Sequence, residues 1–260
     1  MEGITPEEQN PEEKKDWFEE QWAHPQSVQV AGEEKPFDVY DIKPEGEAKT
    51  ETPLIIGMGW GAIPKSDKEH IKYWTEHGRR VIVSDTPHGI SAEDSEHKEK
   101  YPTIEIEKMT ALIETLKSKG IEIKEDGTAS GQVDLMGRSE GAIFSIMLAY
   151  LYPQLIRSLI LENPAGLTGK INPGIFAMRW FRLMKQQIRK EYDEDSPQPE
   201  NHLNEVLGRN LKKAVESVLA ISTSDVREML KEIKANGIGI SVIATTDDKF
   251  FPIEKLAGKA

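Results

Sequence analysis

The sequence predicts an α/β fold with a mostly parallel central sheet, helices on both faces of the sheet and an inserted helical cap. Three observations predict it. Apolar runs of strand length alternate along the chain with segments of helical periodicity. These runs are continuously apolar, as in Leu54–Ile56, which is typical of parallel strands buried on both faces. Residues 166–235 then carry only helical patterns before one last apolar run, at Gly239–Ala244.

The composition is that of a folded protein with an acidic surface. The chain has 260 residues, of which 37% are hydrophobic and 30% charged, and its net charge is −12. That length allows one large α/β domain or two small ones. An acidic surface repels phosphate, so the charge argues against a nucleic-acid partner and against an anionic membrane. The absence of cysteine excludes disulfides, thiolate metal sites and cysteine nucleophiles.

No segment of the sequence predicts secretion or a membrane span. The N-terminal residues 1–23 are acidic and lack the apolar centre of a signal peptide. The longest apolar run, Ala142–Leu151, is far too short to cross a bilayer. We therefore expect a cytoplasmic protein without a membrane span.

Residues 1–53 predict an arm followed by a pair of strands. Residues 1–25 are rich in Glu, Pro and Lys, which is typical of an acidic, solvated arm that docks loosely on a domain. Two strands are predicted next, at Ser27–Val30 and Phe37–Ile42, with a glycine-containing turn between them.

Helices and strands then alternate as far as residue 161. Helical spacing predicts helices at Ser66–His77 and Thr103–Lys119, each followed by a glycine that can end it. Apolar runs predict strands at Arg80–Ser84, Val133–Met136 and Leu155–Leu161.

The strand-free stretch defines the predicted domain organisation. Its helical patterns lie at Pro173–Tyr192, His202–Ile221 and Asp225–Ala235. These helices form either a cap inserted into the sheet domain or extra helices that pack on it. We predict an acidic arm at 1–25, a core made of 26–165 and 236–260, and a helical cap or lid at 166–235.

One short motif predicts nucleophilic chemistry. Gly137-Arg138-Ser139-Glu140-Gly141 lies between the strand pattern that starts at Val133 and an apolar helix that starts at Ala142. A serine at the tip of a sharp strand-to-helix turn occupies strained backbone, and glycines two residues to either side let the two arms pass closely. The helix that starts there directs unpaired N–H groups towards the serine oxygen. The pattern therefore predicts attack on a carbonyl, with backbone donors that hold the oxyanion.

Further polar residues are expected at the same edge of the sheet, because ligands of parallel α/β sheets bind beyond the carboxyl ends of the strands. The segments that follow the predicted strands are Met58–Gly61, Asp85–Gly89, Asn163 and the pair Asp247 and Asp248.

In these features the chain resembles the α/β-hydrolase superfamily over residues 25–252. Gly59-Trp60-Gly61 after an apolar strand is similar to the oxyanion loop of that family. Residues 137–141 are similar to its nucleophile elbow. Asp248, followed by Pro252, is similar to its acid loop.

The resemblance implies a serine hydrolase of esterase type that acts on a small molecule with an acyl or ester group. Ser139 matches the nucleophile, and the backbone N–H groups of Trp60 and Glu140 match the two oxyanion donors. Asp248 matches the acid of the triad, with Asp247 as the alternative. The helices at 166–235 lie where this family inserts lids.

The triad histidine is the main departure from the family pattern. The family order is nucleophile, acid and histidine, but none of the 12 residues after Asp248 is a histidine. We therefore expect a chain that is truncated or has lost its base. Of the histidines present, His88 follows a predicted strand at the ligand edge and His202 lies in the predicted cap, so either one is a candidate base.

Two other functions stay open. Gly57-x-Gly59-x-x-Ala62 after a buried strand, with Asp85 closing the next strand, also matches the fingerprint of an NAD-binding Rossmann fold. A hydrolase-like protein without catalysis could instead bind a small molecule or a partner under its cap. We expect no cofactor and no metal, because the charged group around His97 is typical of a solvated loop.

Overall fold

A single sheet of seven strands forms the centre of this computed structural model, which describes residues 16–86, 88–92, 97, 99–179, 182 and 211–246. In chain order the strands are β1 (Gln26–Val28), β2 (Phe37–Ile42), β3 (Leu54–Gly57), β4 (Val81–Ser84), β5 (Val133–Arg138), β6 (Ile156–Glu162) and β7 (Gly239–Ile243). Their spatial order is β1-β2-β4-β3-β5-β6-β7. β2 is antiparallel to both of its neighbours, and all other neighbours are parallel. The prediction of a mostly parallel sheet is confirmed.

The helices cover both faces of this sheet. They are α1 (Trp17–Trp22), α2 (Lys68–Glu76), α3 (Thr103–Lys117), α4 (Gly141–Leu151), α5 (Leu211–Thr223) and α6 (Arg227–Ala235), with 3-10 turns at Pro64–Asp67 and Pro153–Leu155 and a helical segment at 173–179. None of the helices in the described part of the chain has the length and apolar character needed to cross a membrane.

The side chains of the strands alternate between two apolar clusters, as the period of a strand requires. On the face that we call the front, Ile55 and Leu135 join α3, α4 and α6. On the back face, Leu54, Ile56 and Met136 join α1 and α2. Helix α4 is almost wholly buried because it lies between the sheet and both α3 and α6, which explains its continuously apolar sequence.

The N-terminal arm differs from the sequence prediction where it is described. α1 is not a loosely docked extension, because the Phe18 side chain is 0% exposed and packs in the back cluster with Ile42 and Ile71. The Asp16 carboxylate caps the helix by accepting a hydrogen bond from the Phe18 N–H at 3.0 Å. The free energy gained by burying the Phe18 ring therefore outweighs the tendency of the polar residues in this segment to stay solvated. Residues 1–15 lie outside the described residues.

Only part of the predicted cap lies within the described residues. There, α5 contacts α3 and α6 contacts α4, so both helices extend the helical layer on the front face. Lys213 of α5 pairs with Glu107 of α3 at 2.9 Å. Whether residues 166–235 form a cap or extra packing helices stays a prediction. Trp180, His202 and the rest of 183–210 lie outside the described residues.

Replacing Phe18 by alanine tests whether α1 belongs to the core. We expect Phe18→Ala to lower the free energy of unfolding by about 3–5 kcal/mol, because it leaves a cavity among rigid neighbours. Urea unfolding followed by tryptophan fluorescence measures this change. Met178→Ala is the control, since Met178 is 65% exposed and its loss should cost less than about 0.5 kcal/mol. Equal, small effects of the two substitutions would contradict the docking of α1.

Candidate active site

Ser139 lies at the tip of the turn between β5 and α4, in the left-handed backbone region. Its φ is +53°, and Asn163 is the other non-glycine residue with positive φ in the described part of the chain. Such a conformation costs a non-glycine residue about 1–3 kcal/mol and persists only where the surroundings impose it. Here the Ser139 N–H donates to the Glu162 carbonyl at 2.9 Å, and the Ser139 carbonyl accepts from the Ala142 and Ala165 N–H groups at 3.1 and 3.0 Å.

Three glycines make this turn possible. A Cβ at Gly141 would overlap the Gly57 carbonyl oxygen, and one at Gly137 would lie 2.6 Å from the Ala142 Cα. A Cβ at Gly57 would lie 2.5 Å from the Ser145 Oγ. The end of β3 and the start of α4 are therefore in direct backbone contact, at a distance that no larger residue allows.

The loop after β3 lies against the serine. A Cβ placed on Gly59 would be 3.3 Å from the Ser139 Cβ and 4.0 Å from its Oγ. Trp60, the next residue, is half-buried and packs on the front cluster. The Glu140 N–H has no acceptor among the described residues, so it remains available to a ligand. The structure thus brings Gly59 and Ser139 together at the carboxyl edge of the sheet.

Asn163 ties the ends of the last two strands together at the same edge. Its N–H donates to the Ile243 carbonyl at 2.8 Å, and its Oδ1 accepts from the Thr245 N–H at 2.9 Å. The segment that follows Thr245 carries Asp247 and Asp248. Both predicted acids lie outside the described residues.

The candidate base His88 lies in the loop between β4 and α3 and is half-buried. Its carbonyl accepts a hydrogen bond from Lys213 Nζ at 3.3 Å. Within the described ranges, the Ser139 hydroxyl makes no hydrogen bond to a histidine. His88 therefore stays a prediction, and His202 lies outside the described residues.

Comparison with solved structures identifies the architecture. The structure is similar to a bromoperoxidase from Bacillus anthracis, with a TM-score of 0.58, 16% identity and coverage of 89% of this chain and 85% of that one. It is similar to an esterase from Exiguobacterium antarcticum, with a TM-score of 0.57, 16% identity and coverage of 90% and 86%. The chain has the α/β-hydrolase fold. A hydrolase from Pseudomonas aeruginosa PA01 matches equally well, with a TM-score of 0.57, 16% identity and coverage of 90% and 86%. No family model matches the chain.

The α/β-hydrolase strand order does not match the NAD-binding alternative. A Rossmann fold places a further parallel strand beyond the second one, whereas here the antiparallel β2 occupies that position next to β4. The glycine loop at Gly57 and Gly59 also lies against α4 and Ser139.

A buried group of charges lies on the front face of this hydrolase fold, directly behind the elbow. Glu140 is 0% exposed and its Oε2 lies 2.5 Å from the Lys108 Nζ. Glu105 on α3 is equally buried, and neither of its carboxyl oxygens has a hydrogen-bond partner among the described residues. Burial, and then the nearby Glu140 carboxylate, raise the pKa of Glu105 well above its ordinary value, while Lys108 opposes the shift. Glu105 is therefore harder to ionise than an ordinary glutamate.

A second group of charges lies on the back face and anchors Arg138. Its guanidinium pairs with the Asp67 carboxylate and lies 3.6 Å from Glu162. His70 lies beside both acids and accepts a hydrogen bond from Trp74 Nε1 at 3.1 Å. Burial opposes ionisation of Asp67, but the nearby His70 ring and the charge and hydrogen bond of Arg138 outweigh it, so the pKa of Asp67 is lowered.

Sequence reasoning missed both charge groups. The motif drew attention to Ser139 and to the backbone N–H of Glu140, while the side chains of Arg138 and Glu140 were given no role. The signal in the sequence is weak, because the partners Asp67 and Lys108 come from other helices. The one sequence feature that indicates these charge groups is the charged residue on each side of the serine. Charged side chains next to a buried turn require partners, because an unpaired buried charge is costly.

Substitution of Gly141 tests the backbone contact beneath the elbow. We expect Gly141→Ala to lower the free energy of unfolding by more than about 3 kcal/mol, because the new Cβ would overlap the Gly57 carbonyl. Gly131→Ala is the control, since its Cβ would meet only Ile121 Cγ1 at 3.7 Å. Denaturant unfolding of both variants measures the difference, and a Gly141→Ala protein as stable as the control would contradict the described packing.

Neutralising Glu105 tests the pKa shift. A raised folded pKa means that the folded protein holds a proton that the unfolded chain releases above its ordinary pKa of 4.5, so stability is lost as the pH rises. Glu105→Gln needs no such proton. The melting temperature of this variant, relative to that of the original protein, should therefore increase between about pH 5 and pH 8.

Glu114→Gln on the same helix is the matched control for that measurement. Glu114 pairs with Lys117 near the surface, at 2.6 Å. We expect its melting-temperature difference to stay constant over the same pH range. A constant difference for Glu105→Gln as well would show that Glu105 is ionised in the fold.

Proposed function

We propose that this protein is a serine hydrolase that cleaves an ester-like carbonyl of a small molecule through Ser139. The observation that carries the proposal is the strained backbone of Ser139, with its φ of +53° between β5 and α4. Structures hold such strain mainly where it serves a site. The contact with Gly59 and the open N–H of Glu140 add the surroundings that an acyl-transfer nucleophile requires.

The proposed reaction proceeds in two displacement steps. Ser139 Oγ attacks the carbonyl carbon and gives its proton to a base, and the carbonyl oxygen becomes an oxyanion. The N–H groups of Trp60 and Glu140 hold that oxyanion, and the amino end of α4 adds favourable dipole charge. The alcohol leaves with the proton, and a water molecule then releases the acyl group from Ser139 in the same manner.

His88 is the base that we propose, with Asp248, or Asp247 in its place, as the acid that would orient it. His88 is supported by its position in the loop after β4, because Ser84 and Thr86 of the same connection line a small cavity with Gly59. The acids are supported by their place after β7, where Asn163 holds Thr245 at the edge that carries Ser139.

The similar solved structures include an esterase and a hydrolase, which supports a small ester substrate. We propose that residues 166–235 select that substrate as a cap.

A binding protein without catalysis is the second candidate. The observation that favours it is the Ser139 hydroxyl, which has no histidine partner within the described ranges. Without a base, a serine keeps the pKa of an alcohol and attacks carbonyls poorly. The same fold would then hold a small molecule against the oxyanion donors.

A fluorophosphonate probe decides between these candidates. We expect covalent labelling of the full chain, detected by mass spectrometry, and its complete loss in Ser139→Ala because no other side chain sits in the elbow. Ser91→Ala is the control, since Ser91 is exposed in a loop, and it should label like the original protein. We expect His88→Ala to slow labelling by about 100-fold or more, because the general base is removed.

The outcomes separate the proposals. An unlabelled original protein rejects the hydrolase and supports the binding role. Labelling that persists in Ser139→Ala places the nucleophile elsewhere. Loss in Ser139→Ala combined with full-rate labelling of His88→Ala keeps the nucleophile and rejects His88 as its base.

A further inference from the structure

Lys108 of α3 is a buried cation next to the elbow that the proposed reaction does not use. Its side chain is 6% exposed, and its Nζ lies 2.5 Å from the Glu140 Oε2. The same Nζ donates a hydrogen bond to Ser217 Oγ of α5 at 3.1 Å. Lys108 thus connects the residue after the nucleophile to a helix of the predicted cap.

The side chain of Lys108 also lies behind the loop after β3. It lines a cavity of about 30 Å³ together with Met58, Gly59 and Phe144. Lys108 is therefore close to both segments that carry the proposed oxyanion donors. Lys108 forms an ion pair with Glu140, and it lines the same cavity as Gly59, the residue that precedes Trp60.

We propose that Lys108 is a positioning residue, which fixes the direction of the Glu140 N–H through the Glu140 carboxylate. This inference rests on the proposed function. The Glu140 N–H has no carbonyl partner within the helix, and it shares a peptide plane with the Ser139 carbonyl, which the Ala142 and Ala165 N–H groups hold on one side. The Glu140 nitrogen is bonded to the Cα that carries the side chain, so the buried ion pair with Lys108 holds the other side of the same peptide plane.

The ion pair between Lys108 and Glu140 can hold Glu140 in place because both groups are buried. A charged group in the interior is tolerated only with a partner, so Glu140 cannot leave Lys108 without leaving its charge unpaired. A displacement of an oxyanion donor by about 1 Å can lower a rate by about 100-fold. The contact with Ser217 transmits the position of α5 to the same lysine.

A second buried ion pair on β5 provides a matched control. Asp134, at the other end of the strand, is 2% exposed and lies 2.5 Å from Arg79 Nη2 and from Arg157 Nη2. Like Glu140, it is a buried carboxylate held by cations from other elements, although it has two of them. It does not touch the elbow. Arg79→Met leaves Asp134 paired with Arg157, so this variant reports the cost of losing one cation of a buried pair at a distance from the elbow.

The experiment compares the second-order rate of fluorophosphonate labelling in Lys108→Met and Arg79→Met. We expect Lys108→Met to label about 10- to 100-fold more slowly than the original protein, because one oxyanion donor is misdirected. Arg79→Met should label within about twofold of it, although its melting temperature falls. The ³¹P chemical shift of the phosphonyl adduct, which senses hydrogen bonds to its oxygen, should move in Lys108→Met and not in Arg79→Met.

The double variant Lys108→Met/Glu140→Met separates positioning from folding. It contains no unpaired charge, so it should recover most of the melting temperature that Lys108→Met loses, while labelling remains slow. A return to the original labelling rate in the double variant, or a rate in folded Lys108→Met equal to the original, would overturn the inference and leave Ser139 as the nucleophile. If the original protein is not labelled at all, the proposed function fails and this inference fails with it.

Discussion

The contact between the end of β3 and the start of α4 is the constraint on which the site depends. Gly57 and Gly141 bring the two backbones so close that neither position has room for a side chain. This contact sets the angle at which α4 leaves β5, and the angle forces Ser139 into the left-handed region. It also places the loop that contains Gly59 beside the serine. The geometry of the site is therefore a consequence of backbone packing, since no polar side chain holds the Ser139 hydroxyl within the described residues.

Charge is distributed around this contact in an unusual way for a core. The two residues next to Ser139 point to opposite faces of the sheet, and each one is paired with a cation or an anion from another helix. Arg138 pairs with Asp67 on the back face, and Glu140 pairs with Lys108 on the front face. The Glu140–Lys108 pair is buried, whereas the Arg138 side chain is 38% exposed. A buried pair adds little net stability compared with apolar side chains, but it tolerates few alternative arrangements. We infer that the two pairs restrict the turn from both sides.

Much of this architecture follows from local patterns in the sequence. Phe37–Ile42 is predicted and observed with the same bounds, because its alternation and flanking turns are clear. The position of Ser139 between a strand and a helix follows from glycine spacing. The docking of α1 does not follow from such patterns, because the segment is polar apart from a few aromatic residues and its sequence does not show that the Phe18 ring is buried. The partnership of Lys108 with Glu140 does not follow either, since only the packing of α3 on α4 brings these residues together.

The composition of the back cluster predicts the order in which parts of the fold form during translation. Phe18, Ile42, Ile71 and Val83 of this cluster leave the ribosome early. Among the described residues, Met136 and the partly buried Ile160 join it late. Contacts between residues near in sequence form fastest, and N-terminal segments fold first on a growing chain. We therefore expect β2, β3 and β4 to be assembled under α1 and α2 while β5 is still being translated. The turn that carries Ser139 is then added to a sheet edge that already exists, so early misfolding would disturb this turn less than it disturbs the N-terminal half.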